Sequence, residues 1–199
     1  NDIIKNMREP VLVSSTDGVG TKTEYVIGKL GIKEGLKSLG HDIVNHSIND
    51  IIVKGSRPLY FLDYVASSKI DSDSIQYLVE GIADACRKAQ IVLLGGETAE
   101  MPGVYNKGCF DIVGTIVGII DKSNILNGKE TIRENDLVYG IKSSGPHTNG
   151  YSLIRKLIEK YDNENSNKKL YPNQKVDLSA LTNPHRSYLD EVSYLEMVA

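Results

Sequence analysis

Between Leu36 and Val53 the apolar residues fall at Leu36, Leu39, Ile43, Val44, Ile48, Ile51 and Ile52. Steps of three and four residues place them on one face of a helix, and that face must be buried against another layer. Just beyond Gly55 and Pro58 comes the aromatic-rich run Leu59–Ser68 (LYFLDYVASS), which reads as a strand. A helix tied so closely to a strand is one unit of a layered α/β structure. The flanking segments extend it. Val11–Thr16 is a β-prone run ending at the turn signal Asp17-Gly18. Ile70–Lys88 is a second amphipathic helix, with Ser72 or Ser74 as its cap and Ile75, Leu78, Val79, Ile82 and Cys86 on one face. IVLLGG (Ile91–Gly96) is a short buried strand. Phe110–Asp121 is a longer one, whose interior Gly114 and Gly118 predict a bulge or a close backbone approach. The order strand, helix, strand, helix, strand, strand sets the fold class as α/β or α+β.

After Asp121 the chain turns polar (KSNILNGKETIREND), the best linker in the sequence, and divides it at 1–125 and 126–199. Beyond it LVYGIKSS reads as a new strand, GPHTNG as a loop, and Tyr151–Lys160 as a helix with Leu153, Ile154, Leu157 and Ile158 inward. Residues 163–169 (NENSNKK) read as a solvated insertion. Both ends read as lying inside a longer chain: a strand begins a few residues in, and RSYLDEVSYLEMVA stops within a helical pattern.

The 199 residues are 25% charged with a net charge of −3, so no basic excess points to nucleic acid or an anionic membrane. No apolar run approaches the roughly 20 residues a membrane-spanning helix needs, and NDIIKNMREP does not have the form of a secretory leader. Cys86 and Cys109 fit neither a zinc spacing nor a redox pair and read as free thiols, which places the chain in the cytoplasm.

Four segments carry candidate chemistry. Asp17-Gly18-Val19-Gly20-Thr21-Lys22 is either a polar strand-ending turn or a phosphate loop. It fits neither G-x-x-x-x-G-K-[ST] nor G-x-G-x-x-G, since Thr23 stands at the third glycine position. Its glycines would still let backbone N–H groups approach a phosphate, Lys22 could add a point charge, and Asp17 is a hard oxygen ligand suited to Mg²⁺. Asn49-Asp50, late in the first helix, is either an exposed polar pair or the source of a second carboxylate. GGETAEMPGVY (Gly95–Tyr105) brings Gly95, Gly96, Glu97 and Glu100 to a strand end, where binding groups often lie. SSGPHTNG (Ser143–Gly150) precedes a helix N-terminus, an anion-binding arrangement, with Thr148 or Asn149 as an alternative helix cap. Asp63 inside an aromatic strand must find water, a cation or a hydrogen-bonding partner. His41, His46 and His185 show no metal spacing and read as structural or surface residues.

With TDGVGTK, NDIIVKGSRPLYFLDY, LLGGETAEMPGVY, FDIVGTIVG and SSGPHTNGYSLIRKL in this order, the chain resembles the phosphoribosylformylglycinamidine cyclo-ligase (aminoimidazole ribonucleotide synthetase) family from Val11 onward. LTNPHRSYL matches more loosely, with His185 where the family usually has Thr. A single motif would indicate only the wider superfamily of ATP-using enzymes, selenophosphate synthetase among them. The resemblance implies a two-domain α/β enzyme whose N-terminal domains pair as a dimeric β-barrel flanked by helices, the second domain being incomplete here. ATP phosphorylates the formyl amide oxygen of formylglycinamidine ribonucleotide, and a substrate nitrogen then closes the imidazole ring. By position, Asp17, Asp50 and Glu97 match acids around Mg²⁺-ATP. Gly18, Val19, Gly20, Thr21 and Lys22, with Asn49, Gly95 and Gly96, match the nucleotide-binding segments. Ser144, Gly145, His147, Thr148 and Asn149 would hold the small-molecule substrate. Lys22 and His147 are the candidate catalytic residues, His147 being the titratable group of that loop near neutral pH. The glycine-rich segment that usually precedes VLVS, and most of the C-terminal domain, are absent from this sequence. A chain lacking both is the alternative of a non-catalytic nucleotide-binding or dimerisation remnant.

Overall fold

A computed structural model describes residues 2–167 and 178–198, with side-chain surroundings for 3–162 and 178–195. The elements in chain order are α1 (Asp2–Lys5), β1 (Pro10–Gly18), α2 (Lys22–Ile52), β2 (Arg57–Ser67), α3 (Ser72–Lys88), β3 (Val92–Glu100), β4 (Phe110–Asp121), α4 (Gly128–Thr131), α5 (Tyr151–Asn167) and α6 (Leu189–Val198). Short 3₁₀ turns occupy Lys122–Asn124 and Ser179–Thr182.

The four strands form one open sheet in the order β1-β4-β2-β3. β4 pairs antiparallel with both β1 and β2, while β2 and β3 run parallel. The sheet does not close into a barrel within this chain. Its inner face carries Phe61, Val65, Ile112 and Ile116, all fully buried against Leu36, Leu39, Ile43 and Ile48 of α2 and Leu78 and Ile82 of α3.

Glycines set how closely these layers approach. A Cβ at Gly81 of α3 would lie 2.2 Å from the Lys37 carbonyl oxygen, and one at Gly40 of α2 would lie 2.6 Å from the Leu78 carbonyl oxygen. The two helices therefore cross backbone against backbone. Gly114 makes room on β4 for the Phe61 ring, whose Cζ would meet a Cβ there at 2.5 Å. Gly114 thus serves close approach, and Gly118 stands opposite a register shift of β2 between Pro58 and Tyr60, so both outcomes the sequence allowed occur.

Several boundaries differ from the sequence reading. The first helix begins at Lys22, and two helical stretches join at Gly31, whose φ of 79° breaks the periodicity. The cap of α3 is Asp71, whose carboxylate accepts from the Ser74 N–H at 2.8 Å, rather than Ser72 or Ser74. β3 continues through Glu100, because its backbone pairs with β2 as far as Ser67, so Gly95–Glu100 lies on a strand and not in a loop. Leu137–Ser144 is not a strand: among the described residues no strand pairs with it, and Leu137, Val138 and Tyr139 are exposed. A lone strand leaves its backbone groups unpaired and its apolar face wet. On α5, Ile154 and Ile158 are half-buried, while Leu153 and Leu157 face outward at 63% and 56% exposure. The insertion read at 163–169 runs into the helix as far as 167, and its remainder lies outside the described residues. Among the described residues no helix is long and apolar enough to cross a membrane.

Candidate functional site

Two periodicities build the site. Ser15 and Asp17 are two apart on β1 and share one face of the strand. His46 and Asp50 are four apart on α2 and lie one turn above each other. Where strand and helix meet, His46 Nε2 stands 3.1 Å from Asp17 Oδ2 and 3.7 Å from Asp50 Oδ1. Single ligand atoms of Asp17, His46 and Asp50 all fall within 4.8 Å of one another. Ser15 Oγ donates to Asp50 Oδ2 at 2.7 Å and fixes that carboxylate. Asp17 Oδ1 accepts from the Gly18 N–H at 2.6 Å. The imidazole is nearly buried, and both carboxylates keep access to solvent.

The loop of residues 144–149 closes over this corner. Thr148 is buried, with its Oγ1 2.7 Å from His46 Nδ1 and 3.3 Å from His185 Nδ1. His147, held at a φ of 60°, stacks on His185 with centroids 4.0 Å apart, and its Nε2 lies 3.3 Å from the Tyr188 hydroxyl. Burial holds the His147 imidazole below its ordinary pKa, with Lys22 and His46 adding to the effect. Burial, then His147, His46 and Lys22, push His185 down to about 3.

The segment 182–188 runs along α2 and is gripped by it. Asp42 Oδ1 accepts from the His185 N–H at 2.7 Å, and Asn45 Nδ2 donates to the His185 carbonyl at 2.7 Å. Asn49 donates to the Arg186 carbonyl at 2.7 Å and accepts from the Tyr188 N–H at 3.0 Å. Ser144 and Asn183 bracket the loop from the other side, Ser144 Oγ donating to the Pro184 carbonyl and Asn183 Nδ2 to the Ser144 carbonyl.

These positions revise several sequence-based assignments. Lys22 does not reach the loop surface: its Nζ is fully buried, 2.7 Å from Asp42 Oδ1 and 2.7 Å from the Asn183 carbonyl oxygen, and 5.6 Å from the Tyr151 ring centroid. α2 begins at Lys22 and turns that side chain inward, where only an acid makes burial of an ammonium tolerable. Val19 is a core residue whose N–H donates to the Ile112 carbonyl at 3.0 Å, and the Gly18 N–H is taken by Asp17. Gly20 and Thr21 remain exposed at the N-terminal end of α2, with no partner for their N–H groups among the described residues. Asn49 spends its amide on the 185–188 segment, and Thr148 turns its hydroxyl into the interior. Glu97, Gly95 and Gly96 sit on β3, at the far edge of the sheet from β1. Three strand spacings of about 4.8 Å place Glu97 roughly 14 Å from Asp17, outside the carboxylate cluster. Gly96 has a packing reason, since a Cβ there would meet Asp63 Oδ1 at 2.5 Å. His46 and His185, read as structural or surface residues, are both buried at this site. The spacing of four between His46 and Asp50 was the available signal for the first; the second is placed by tertiary contact alone.

The donor set suits a hard cation. Asp17 and Asp50 offer carboxylate oxygens, which Mg²⁺ prefers, and the imidazole beside them is engaged with Asp17.

Residues 3–120 match the family model described as AIR synthase related protein, N-terminal domain, and the chain belongs to that family. Among curated relatives, phosphoribosylformylglycinamidine cyclo-ligase of Clostridium perfringens strain 13 is 42% identical over 190 residues, covering 96% of this chain and 56% of the relative. The protein of the same name from Nitrosospira multiformis is 49% identical over 160 residues, covering 80% of this chain and 44% of the relative. The chain thus spans about half the length of the curated relatives it matches. Among solved structures, AaThiL complexed with AMPPCP and TMP aligns with 94% of this chain and 52% of its own, at a TM-score of 0.55 and 14% identity, a likeness of fold.

Proposed function

We propose that this chain is the nucleotide- and metal-binding part of an ATP-dependent phosphoribosylformylglycinamidine cyclo-ligase of purine biosynthesis. The observation that carries this reading is the bridge from Asp17 and Asp50 through His46 to Thr148, which sets a carboxylate pair against the loop of residues 144–149 that leads into α5. The names of the relatives point to the same reaction.

Asp17 and Asp50 hold Mg²⁺, which when bound neutralises phosphate charge. The exposed N–H groups of Gly20 and Thr21, at the start of α2, receive a phosphate. Ser144, Gly145, His147 and Asn149 line the side on which formylglycinamidine ribonucleotide binds. ATP gives its γ-phosphoryl group to the formyl amide oxygen. A substrate nitrogen then attacks that carbon, the C–O bond breaks, and phosphate leaves as the imidazole closes. His147, kept neutral near pH 7, accepts the proton that the attacking nitrogen sheds. Holding both reacting ends of one substrate supplies much of the rate, and phosphoryl transfer needs positioning and charge neutralisation more than a covalent protein group.

The enzyme works as a homodimer in the cytoplasm, with domains at 1–125 and 126–199. The open sheet supports pairing with a second copy through its uncovered edge strands, where Leu12 on β1 and Leu94 on β3 are 65% and 60% exposed. The test is turnover by the full-length protein containing this sequence, given Mg²⁺-ATP and formylglycinamidine ribonucleotide. ADP and aminoimidazole ribonucleotide should appear one for one. ATP hydrolysis without ring closure, or neither product, would overturn the assignment.

A further inference from the structure

The hydrogen bonds around His46 have a direction that the backbone fixes. The Tyr188 N–H donates to Asn49 Oδ1 at 3.0 Å, and Asn49 Nδ2 donates to the Arg186 carbonyl at 2.7 Å. One main-chain donor and one main-chain acceptor therefore settle which end of the amide is which. The second hydrogen on Asn49 Nδ2 points to His185 Nε2, 3.0 Å away, so that nitrogen must accept. A neutral imidazole carries one proton, which for His185 is then on Nδ1, facing Thr148 Oγ1 at 3.3 Å. Burial keeps this ring neutral. Among the described residues Thr148 Oγ1 contacts only His185 Nδ1 and His46 Nδ1, and with the first donating, the hydroxyl hydrogen has His46 Nδ1 at 2.7 Å as its acceptor. His46 must then carry its own proton on Nε2, which it donates to Asp17 Oδ2 at 3.1 Å. This arrangement gives every polar hydrogen in the chain of contacts an acceptor.

We propose that Asn49, His185, Thr148 and His46 form a one-way hydrogen-bond relay that sets the orientation of the Asp17 carboxylate, beside the Asp50 carboxylate fixed by Ser15, according to how the 144–149 loop is seated. Its consequence for metal binding rests on the function proposed above; the relay itself rests on the hydrogen bonds. Thr148 is a positioning residue. It touches neither carboxylate, yet it fixes the tautomer of the ring that does. Its second contact, to His185, ties that ring to the segment gripped by α2. Displacement of the 144–149 loop removes the donated hydrogen from His46 Nδ1, frees the ring to change tautomer, and withdraws the N–H from Asp17. A loop occupied by substrate and a carboxylate pair occupied by metal are then favoured together, through one hydroxyl.

Two measurements test this on the full-length protein. Long-range ¹H–¹⁵N correlation of the imidazoles, without metal, should find the proton on Nε2 of His46 and on Nδ1 of His185; the opposite tautomer at either ring overturns the relay. Manganese binding in the presence of ATP, followed by the electron paramagnetic resonance of the free ion, should weaken about tenfold or more in Thr148→Val and recover in Thr148→Ser. Equal affinity in Thr148→Val and wild type, or failure of Thr148→Ser to recover, overturns the coupling. If Thr148→Val does not fold, His46→Gln, which keeps an N–H toward Asp17, should bind manganese more tightly than His46→Leu, and equality of the two is the contrary result. Absence of manganese binding by the wild type overturns the metal reading of Asp17 and Asp50 and the coupling built on it, while the tautomers still decide the relay.

Discussion

The ammonium of Lys22 and the carboxylate of Asp42 lie 2.7 Å apart with both side chains fully buried, 20 residues apart along α2. Burial lowers the Lys22 pKa against the opposing pull of Asp42, and raises Asp42 to about 6 against the pull of Lys22. The pair also holds the distant segment, through the Asn183 carbonyl on Lys22 and the His185 N–H on Asp42. Asp42 Oδ2 has no hydrogen-bond partner among the described residues, so the carboxylate depends on Lys22 for its compensation. Lys22→Met should therefore destabilise the chain by about 3–5 kcal/mol in urea unfolding, since it strands a buried charge. Adding Asp42→Leu should recover part of that loss. A Lys22→Met protein of unchanged stability with abolished nucleotide binding would instead make Lys22 a direct phosphate contact.

The carboxylates behave in the opposite way. Asp17 and Asp50 are partly exposed, at 54% and 34%, so their charge is not structural in the same sense. Asp17→Asn and Asp50→Asn should each weaken Mg²⁺-ATP binding tenfold or more by calorimetry while unfolding within about 1 kcal/mol of wild type. Unchanged affinity in both would remove the metal role.

His185 gives stability a pH dependence of known sign. Its folded pKa is held at about 3, whereas an unfolded imidazole titrates near 6.5. Between those values the unfolded chain binds the proton and the folded chain does not, so the contribution of His185 is present above pH 6.5 and is lost as pH falls toward 3. Asp42, raised to about 6, acts in the reverse sense over part of that window. The informative quantity is thus the difference between wild type and His185→Asn. Wild type should lose about 2 kcal/mol more than the variant between about pH 7 and pH 5. Parallel pH profiles would contradict this.

The crossing of α2 and α3 leaves no room for a methyl group. Gly81→Ala would bring a Cβ to 2.2 Å from the Lys37 carbonyl oxygen, which is backbone and cannot swing aside. Thermal unfolding should show a loss of about 1–3 kcal/mol or more. A Gly81→Ala protein as stable as wild type would mean that the helices sit further apart.

Local pattern made the layers legible in the sequence. The three- and four-residue steps of Leu36–Ile52 depend on neighbours in sequence, so the core face of α2 follows directly. Asp17 and Asp50 were also legible, as polar groups at element ends. What sequence pattern did not reach was set by long-range partners. Lys22 looks like a loop lysine until Asp42 is placed beneath it. Glu97 looks like a loop acid until the β2 backbone pairs with it as strand. His185 gains its role from Asn49 and Thr148, 136 and 37 residues away. Leu137–Tyr139 has the composition of a strand and lacks a neighbour to pair with among the described residues, which composition cannot supply.

The proposed chemistry makes one atom traceable. If ATP phosphorylates the formyl amide oxygen before ring closure, that oxygen must leave bonded to phosphorus. Formylglycinamidine ribonucleotide labelled with ¹⁸O at the formyl group, turned over by the full-length protein with Mg²⁺-ATP, should deliver the label to inorganic phosphate, one atom per imidazole formed, as read by mass spectrometry. Label released to water, or retained in the nucleotide product, would contradict the account.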